Sequence, residues 1–225
     1  NLRDFASVTA HDLKAPLRQT SMFVGLLQNE LAKLDVDLNE SAEDALNGIH
    51  AGLDRMKRIV KSLYELFSVE TLQTEKSVTS LKDVFDEATA QLSSLIDDKN
   101  ARVEVGELPA VAIAPDYMVQ VFQNLIANAC KYSNAENPVI TISYERDINN
   151  RVHRIEFSDN GPGIPVDMQD AVFEPYKRLH HNSEIDGNGI GLALCRRIMA
   201  LHMGDIRLDP KSDPGACFIL SLPLD

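Results

Sequence analysis

Two stretches near the N-terminus repeat apolar side chains in alternating steps of four and three, and no other feature narrows the fold as much. The first runs Leu13, Leu17, Thr20, Val24, Leu27, Leu31, Leu34; the second runs Leu46, Ile49, Leu53, Met56, Val60, Leu63, Phe67. A repeat of about 3.5 residues keeps one narrow stripe of a helix apolar. Only Thr20 is polar in either series. Between them KLDVDLNESAED is acidic and turn-like, with Asp37, Asn39 and Ser41 as candidate caps for a second helix. Two antiparallel helices bury little by themselves. The hairpin completes its core most simply against a second copy, as a homodimer whose residues 1–72 form a four-helix bundle. Packing of the hairpin on its own downstream domain is the competing arrangement.

The same register locates TAHDLKAPLRQT. Ala10 and Ala6 continue the seam backwards, so His11, one position on, stands on the flank of the bundle. Pro16 has no N–H, which leaves the Asp12 carbonyl without its usual partner and loosens the turn carrying His11. A flanking histidine proves nothing alone, since its common distinction is a near-neutral pKa. The rest of the chain has to decide.

After SVETLQTEKSVTS, a polar stretch read as a linker over residues 73–79, the pattern changes. LKDVFDEATAQLSSLI reads as a helix, ARVEVGEL and AVAI as short strands, and PDYMVQVFQNLIANACKYS as a helix with Pro115 at its first turn. PVITISYERD and VHRIEFSDN alternate as strands, GIGLALCRRIMALHM is helical, and GDIRLD with GACFILSLPL closes as a hairpin. Strands and helices without regular alternation predict an α+β sandwich over residues 80–225, with helices on one face of a mixed sheet. The fold class expected is thus multidomain, α followed by α+β.

Composition excludes some functions. With 22 basic against 34 acidic residues the net charge is −12, which argues against general nucleic-acid binding. No apolar run approaches the roughly 20 residues that cross a bilayer, and no signal-peptide pattern is present. Cys130, Cys195 and Cys217 are scattered among apolar residues, as reduced thiols of a cytoplasmic protein would be. The chain opens inside an amphipathic segment, which suggests a piece of something longer.

Several polar groups then converge. Gln120, Asn124, Asn128 and Lys131 form a stripe at helical spacing, separate from the apolar face of Met118, Phe122, Leu125 and Ala129. An amide oxygen suits Mg²⁺, and a lysine suits phosphate oxygens. Asp159 closes a strand and is followed by a turn with Gly161 and Gly163, where a carboxylate can accept from an exocyclic amine. Gly187, Gly189 and Gly191 precede a helix, whose free N–H groups can hold phosphate.

In order, AHDLKAPLR, NLIANACKYS, DNGPGI, FEPYKRL and GNGIGLAL resemble the histidine, asparagine, first glycine, phenylalanine and second glycine boxes of two-component sensor histidine kinases. The histidine segment is also similar to that of phytochrome-like and other soluble-sensor kinases. The resemblance implies a Bergerat-type α/β sandwich that binds ATP and Mg²⁺. It makes His11 the phospho-acceptor, with Asp12 assisting its proton. Asn128 holds the metal beside Asn124; Lys131 and Tyr132 contact phosphates; Asp159 binds the adenine amine within the turn of Gly161 and Gly163. Lys177 or Arg178 closes on the phosphates with the second glycine box, Gly187, Gly189, Gly191 and Leu192, in a lid from about 176 to 188. A response-regulator receiver domain would then accept the phosphoryl group; the abrupt start of the chain leads us to expect a sensor domain upstream.

Two departures stand out. The family often places Thr or Asn four residues after the histidine, where it serves regulator dephosphorylation; here Ala15 has no polar group, so weak phosphatase activity is expected. A threonine usually near the adenine is replaced by Cys217, which suggests modest nucleotide affinity. The competing functions are a switch ATPase of the same superfamily and a dimeric nucleotide-binding scaffold without catalysis. The adjacent His180 and His181 read as lid residues rather than metal ligands.

Overall fold

The computed structural model describes residues 2–33, 39–68, 75–133, 136–177, 189–210 and 215–224, with side chains from residue 13 onward except 65–68. The chain divides into two compact units, Asn1–Ser68 and Val69–Asp225.

The first unit is a helical hairpin of α1 (Leu2–Lys33) and α2 (Glu40–Ser68). Of the three candidate caps, Asn39 takes the role: its Oδ1 accepts the Ala42 N–H at 2.9 Å. The helices run antiparallel, since Lys14 near the start of α1 lies over the Tyr64 ring near the end of α2, 3.8 Å from its centroid. Helix α1 continues unbroken through Pro16. The one polar seam residue, Thr20, returns its hydroxyl to the Pro16 carbonyl at 2.9 Å and so carries no unpaired donor.

The heptads divide by position. Leu53 and Val60, seven residues apart, are buried against the sister helix, with Leu17, Val24 and Leu31 half-buried opposite. The alternate positions Leu13, Leu27, Ile49 and Met56 are exposed. One hairpin therefore uses only half of each seam.

The second unit contains β1 (Ser77–Ser80), α3 (Leu81–Gln91), α4 (Ser93–Asp98), β2 (Arg102–Val105), β3 (Ala110–Ile113) and α5 (Pro115–Tyr132). It continues with β4 (Val139–Asp147), β5 (Val152–Asp159), two 3₁₀ turns (Val166–Met168 and Ala171–Phe173), α6 (Gly191–Leu201), β6 (Asp205–Leu208) and β7 (Cys217–Pro223). Five strands form a mixed sheet in the order β2-β4-β5-β7-β6, where only the β2–β4 pair is parallel. Strand alternation sends Ile142, Ile155, Phe157 and Leu220 to one face, where all are fully or nearly fully buried. Phe85 of α3 and Phe122 of α5 are buried in the same unit and meet edge to face, with centroids 5.3 Å apart. The unit is the expected α/β sandwich.

Two local expectations change. The helix expected through LKDVFDEATAQLSSLI divides at Leu92 (φ −109°, ψ 13°), whose N–H turns back to Thr89 and Ala90. The Ser93-Ser94 pair that follows has weak helix propensity. The stretch read as linker also surrenders Ser77, Val78 and Thr79 to β1, which pairs antiparallel with β3, Ser77 opposite Ile113.

Candidate active site

Strand β5, central in the sheet, ends at Asp159. Its backbone N–H donates to Ala216 O at 2.9 Å, which aligns the end of β5 with the start of β7. Its Oδ1 accepts the N–H groups of Gly161 at 2.8 Å and of Ala216 at 3.3 Å. Both bonds go to one oxygen, so Oδ2 remains unclaimed among the described residues. Burial pushes the carboxyl above its ordinary 3.8, and the two backbone bonds oppose that shift. The result is a fixed acceptor in a partly desolvated place, suited to an amine donor.

The surrounding glycines are there for space. A Cβ on Gly215 (φ 94°) would stand 1.8 Å from the Asp159 carbonyl oxygen, so no other residue fits. A Cβ on Gly161 would lie 2.8 Å from Asp159 Oδ1, and one on Gly163 would lie 3.1 Å from the Gly215 carbonyl oxygen. Neighbouring Asn160 serves the scaffold: its Oδ1 accepts the Val139 N–H at 2.8 Å and ties the turn to β4.

Helix α5 carries the polar stripe as the sequence predicts. Gln120, Asn124, Asn128 and Tyr132 are half-buried and Lys131 is exposed. Asn124 Nδ2 donates to Gln120 O at 3.0 Å. The Asn128 amide has no hydrogen-bond partner among the described residues. Those residues contain no group of three His, Cys, Asp or Glu that could hold a metal. A hard cation here would therefore rest on the Asn128 oxygen together with ligand phosphates, and that donor set fits Mg²⁺.

Helix α6 opens at Gly191 behind Ile190, with no side-chain cap. Its first N–H groups, those of Gly191, Leu192 and Ala193, have no partner within the helix and carry the positive end of its dipole. The Tyr176 N–H donates to Gly189 O at 2.8 Å. Gly189 (φ 67°) has no room for a side chain, since a Cβ would meet the Lys177 carbonyl oxygen at 2.8 Å. Lys177 itself is exposed, 3.7 Å from Glu174. Arg178, Gly187, His180 and His181 lie outside the described residues, as do the side chains of His11 and Asp12. The backbone of His11 and Asp12 is part of α1.

Cys217 falls elsewhere than expected. It pairs with Ser158 across β5 and β7, and alternation turns it to the opposite sheet face from Asp159. Ala216 is the residue beside the carboxylate. The contributions of Gly215 and Ala216 escaped sequence reasoning; the Pro214-Gly215 dipeptide was the available signal of a tight turn.

The description "His Kinase A (phospho-acceptor) domain" matches residues 1–72, and "Histidine kinase-, DNA gyrase B-, and HSP90-like ATPase" matches residues 113–225. The phytochrome-like protein Cph1 of Synechocystis sp. is 34% identical over 224 residues, covering 100% of this chain and 29% of its own length. The adaptive-response sensory kinase SasA of Crocosphaera subtropica is 30% identical over 231 residues, covering 97% of this chain and 58% of its own. The chain thus spans 29% and 58% of these two relatives, less than two thirds of either. Among solved structures, full-length ShkA in complex with AMPPNP matches the fold with a TM-score of 0.75 at 19% identity, over 98% of this chain and 45% of that one. No described helix is long and apolar enough to cross a membrane. With half its length in the ATPase family and a phospho-acceptor segment ahead of it, the chain belongs to the histidine kinases.

Proposed function

We propose that this chain is the kinase portion of a cytoplasmic sensor histidine kinase. It phosphorylates its own His11 from Mg·ATP and passes the phosphoryl group to an aspartate on a response-regulator receiver domain. The observation that carries this reading is the half-buried Asp159 carboxylate with one oxygen unclaimed, set in the same unit as the uncapped start of α6. An acceptor for the adenine amine and a set of donors for phosphate are the two ends of an ATP site.

Each residue then has a task. Asp159 accepts from the adenine amine; the N–H groups of Gly191 and Leu192 bind phosphate oxygens; Lys131 and Tyr132 add donors along α5. Asn128 holds Mg²⁺, which supplies charge neutralisation at the phosphates. A neutral His11 nitrogen attacks the γ-phosphorus, the bond to the β-phosphate oxygen breaks, and ADP leaves. Asp12 orients the ring or takes up its proton. Such chemistry depends mainly on positioning and charge stabilisation.

The exposed seam residues Leu13, Leu27, Ile49 and Met56 support a homodimer in which a second hairpin covers them. A sensor domain elsewhere in the whole protein accords with the chain's 29% share of the phytochrome-like relative's length. Ala15, exposed on α1 four residues after His11, has no hydroxyl or amide to orient water, so regulator dephosphorylation is weak. Substitution at Cys217 has little effect on nucleotide affinity, because its side chain faces away from Asp159.

The test is incubation with γ-labelled Mg·ATP. The native chain takes up acid-labile, base-stable label, and His11→Gln takes up none. Label persisting in the variant would move the acceptor elsewhere. ATP binding without label would favour a switch ATPase or a nucleotide-binding scaffold.

A further inference from the structure

Phe173 opens the FEPYKRL motif and is only 4% exposed, although it belongs to a single 3₁₀ turn. Two unlike neighbours enclose its ring. Phe218 of β7 meets it edge to face, with centroids 6.4 Å apart. The other neighbour is a charge: the Arg196 guanidinium of α6 lies 4.4 Å from the ring centroid. Arg196 Nη2 also stands 3.6 Å from Oδ1 of Asp170, the residue that leads into the same 3₁₀ turn. One guanidinium thus meets both ends of one turn. The Asp170 side chain is fully exposed, so the ion pair adds little and the aromatic contact carries the attachment.

The chain leaving Phe173 meets the start of α6 a second time. The Lys177 N–H donates to Glu174 O at 3.3 Å and closes a turn with Pro175 and Tyr176 (φ 66°) at its centre. The Tyr176 N–H in turn donates to Gly189 O at 2.8 Å, two residues ahead of α6. Residues 170–177 are therefore fastened at Gly189 and at Arg196, and the uncapped first turn of α6 lies between the two points.

We infer that Arg196 is a positioning residue for the nucleotide: acting through Phe173, it clamps residues 170–173 onto α6 and fixes where residues 174–177 present Lys177 relative to the N–H groups that receive phosphate. The inference rests on the ATP reading above. The Tyr176 bond alone would let the segment pivot about one point, and the second attachment removes that freedom. Arg196 suits the task because its planar cation can cover an aromatic ring while its stem packs along the helix.

Two measurements on the whole chain decide the matter. The first titrates Mg·ATP and adenosine against native, Arg196→Leu and Arg196→Lys chains. Leucine keeps an apolar stem without the charge, and lysine restores a cation over the ring. Arg196→Leu weakens Mg·ATP binding about fivefold and leaves adenosine at its native affinity, while Arg196→Lys recovers most of the loss. In a Lys177→Ala background Arg196→Leu causes no further loss of Mg·ATP affinity. Equal losses for ATP and adenosine would mark a general structural defect, and an unchanged Mg·ATP affinity would mark a surface contact with no bearing on the site. Either result overturns the inference, and so does an undiminished effect of Arg196→Leu beside Lys177→Ala.

The second measurement needs no nucleotide. Thermal unfolding of Arg196→Leu, Phe173→Leu and the double variant forms a cycle, in which the penalty of Arg196→Leu shrinks once the ring is gone. Additive shifts overturn the clamp. If the native chain binds no Mg·ATP, the functional reading falls, and this cycle still decides whether Arg196 and Phe173 are coupled.

Discussion

The two units solve the problem of burying apolar surface in opposite ways. In the second, Phe85, Phe122, Phe157 and the inward residues of the sheet disappear inside one chain. In the first, only Leu53 and Val60 are buried among the described residues, whereas Leu13, Met22, Phe23, Leu26, Leu27, Ile49 and Met56 are exposed. Both units have strong hydrophobic periodicity, so periodicity alone does not distinguish a finished core from an unfinished one. It reports how much surface must leave water, and the fold reports whose surface covers it. The ATPase unit closes a core of its own; the described hairpin leaves half of each seam exposed, as the proposed dimer requires.

The sharpest way to break that contrast is to charge the uncovered half-seam. Ile49→Asp with Met56→Asp places two carboxylates per copy where a second hairpin would bury them, at several kcal/mol for each unpaired charge. The dimer dissociation constant should rise by at least about a thousandfold, read by sedimentation equilibrium. The thermal transition of the ATPase unit should not move. A variant that stays dimeric would show that another surface holds the copies together. The reciprocal change is Phe122→Ala, which removes a fully buried ring and its edge-to-face contact with Phe85. It should cost the ATPase unit about 3–5 kcal/mol by calorimetry and leave dimerisation intact.

The contrast also explains which parts of the molecule were legible in the sequence. The seams could be read because a heptad stripe is a local property of each helix. Strands β4, β5 and β7 could be read because alternation is local too. What escaped depended on partners distant in sequence. SVTS becomes β1 only because AVAI lies beside it, and three polar residues around one valine give little pattern of their own. At the site, Asp159, Gly161 and Gly163 announced themselves in one short motif. The Ala216 N–H reaches the same carboxylate from 57 residues away, Gly215 packs on the Asp159 backbone carbonyl, and no motif joined either to it. Cys217 was assigned from its place in a motif, and strand parity then turned it to the other face.

Within the ATPase unit, two titratable groups, one half-buried and one buried, should respond to acid for different reasons. Asp159 binds its proton more readily in the folded chain than at its ordinary 3.8, because burial disfavours the carboxylate. That group's contribution to stability is therefore greatest below 3.8 and is lost as pH rises through the raised value. Nucleotide binding runs the opposite way, since the adenine amine needs the ionised acceptor. Affinity for ATP should fall as pH drops through the raised value, already above 3.8, by about ten- to a hundredfold. Asp159→Asn should abolish that pH dependence, as measured by equilibrium titration.

His202 is 2% exposed, at the end of α6. Its Nδ1 donates to Ile198 O at 2.8 Å, and its Nε2 accepts the Ala114 N–H at 2.9 Å, where β3 passes into α5. Only the neutral ring can do both. Burial lowers its pKa below 6.5, with Lys76 adding to the shift. Its stabilising contribution is thus complete above pH 6.5 and is lost as pH falls from there through the lowered value. His202→Leu should remove this acid sensitivity and cost about 1–3 kcal/mol at neutral pH, because the Ala114 N–H loses its acceptor. Urea unfolding at several pH values would separate the two effects.

The smallest effect concerns the residue immediately after that histidine. Met203, two residues past the end of α6, has φ 56° with 76% of its surface exposed, the left-handed conformation that the position after a helix C-cap usually gives to glycine. Its N–H still closes onto Ala200 O at 3.0 Å, and the next N–H, of Gly204, onto Met199 O at 2.9 Å, so the turn is held despite the side chain. The left-handed geometry costs about 1–2 kcal/mol for a residue with a Cβ. Glycine relieves that cost but gives the unfolded chain more freedom, worth about 0.5–1 kcal/mol in the other direction. Met203→Gly should therefore stabilise the ATPase unit by about 0.5–1 kcal/mol, a rise of roughly 1–4 °C in Tm. Gly204→Ala, one position away, is the control: its Cβ would meet the Ser221 carbonyl oxygen at 2.2 Å, so it should destabilise. Neither change should alter the sedimentation of the dimer. A Met203→Gly chain no more stable than the native one would mean that the exposed side chain contributes enough at this turn to offset its strain.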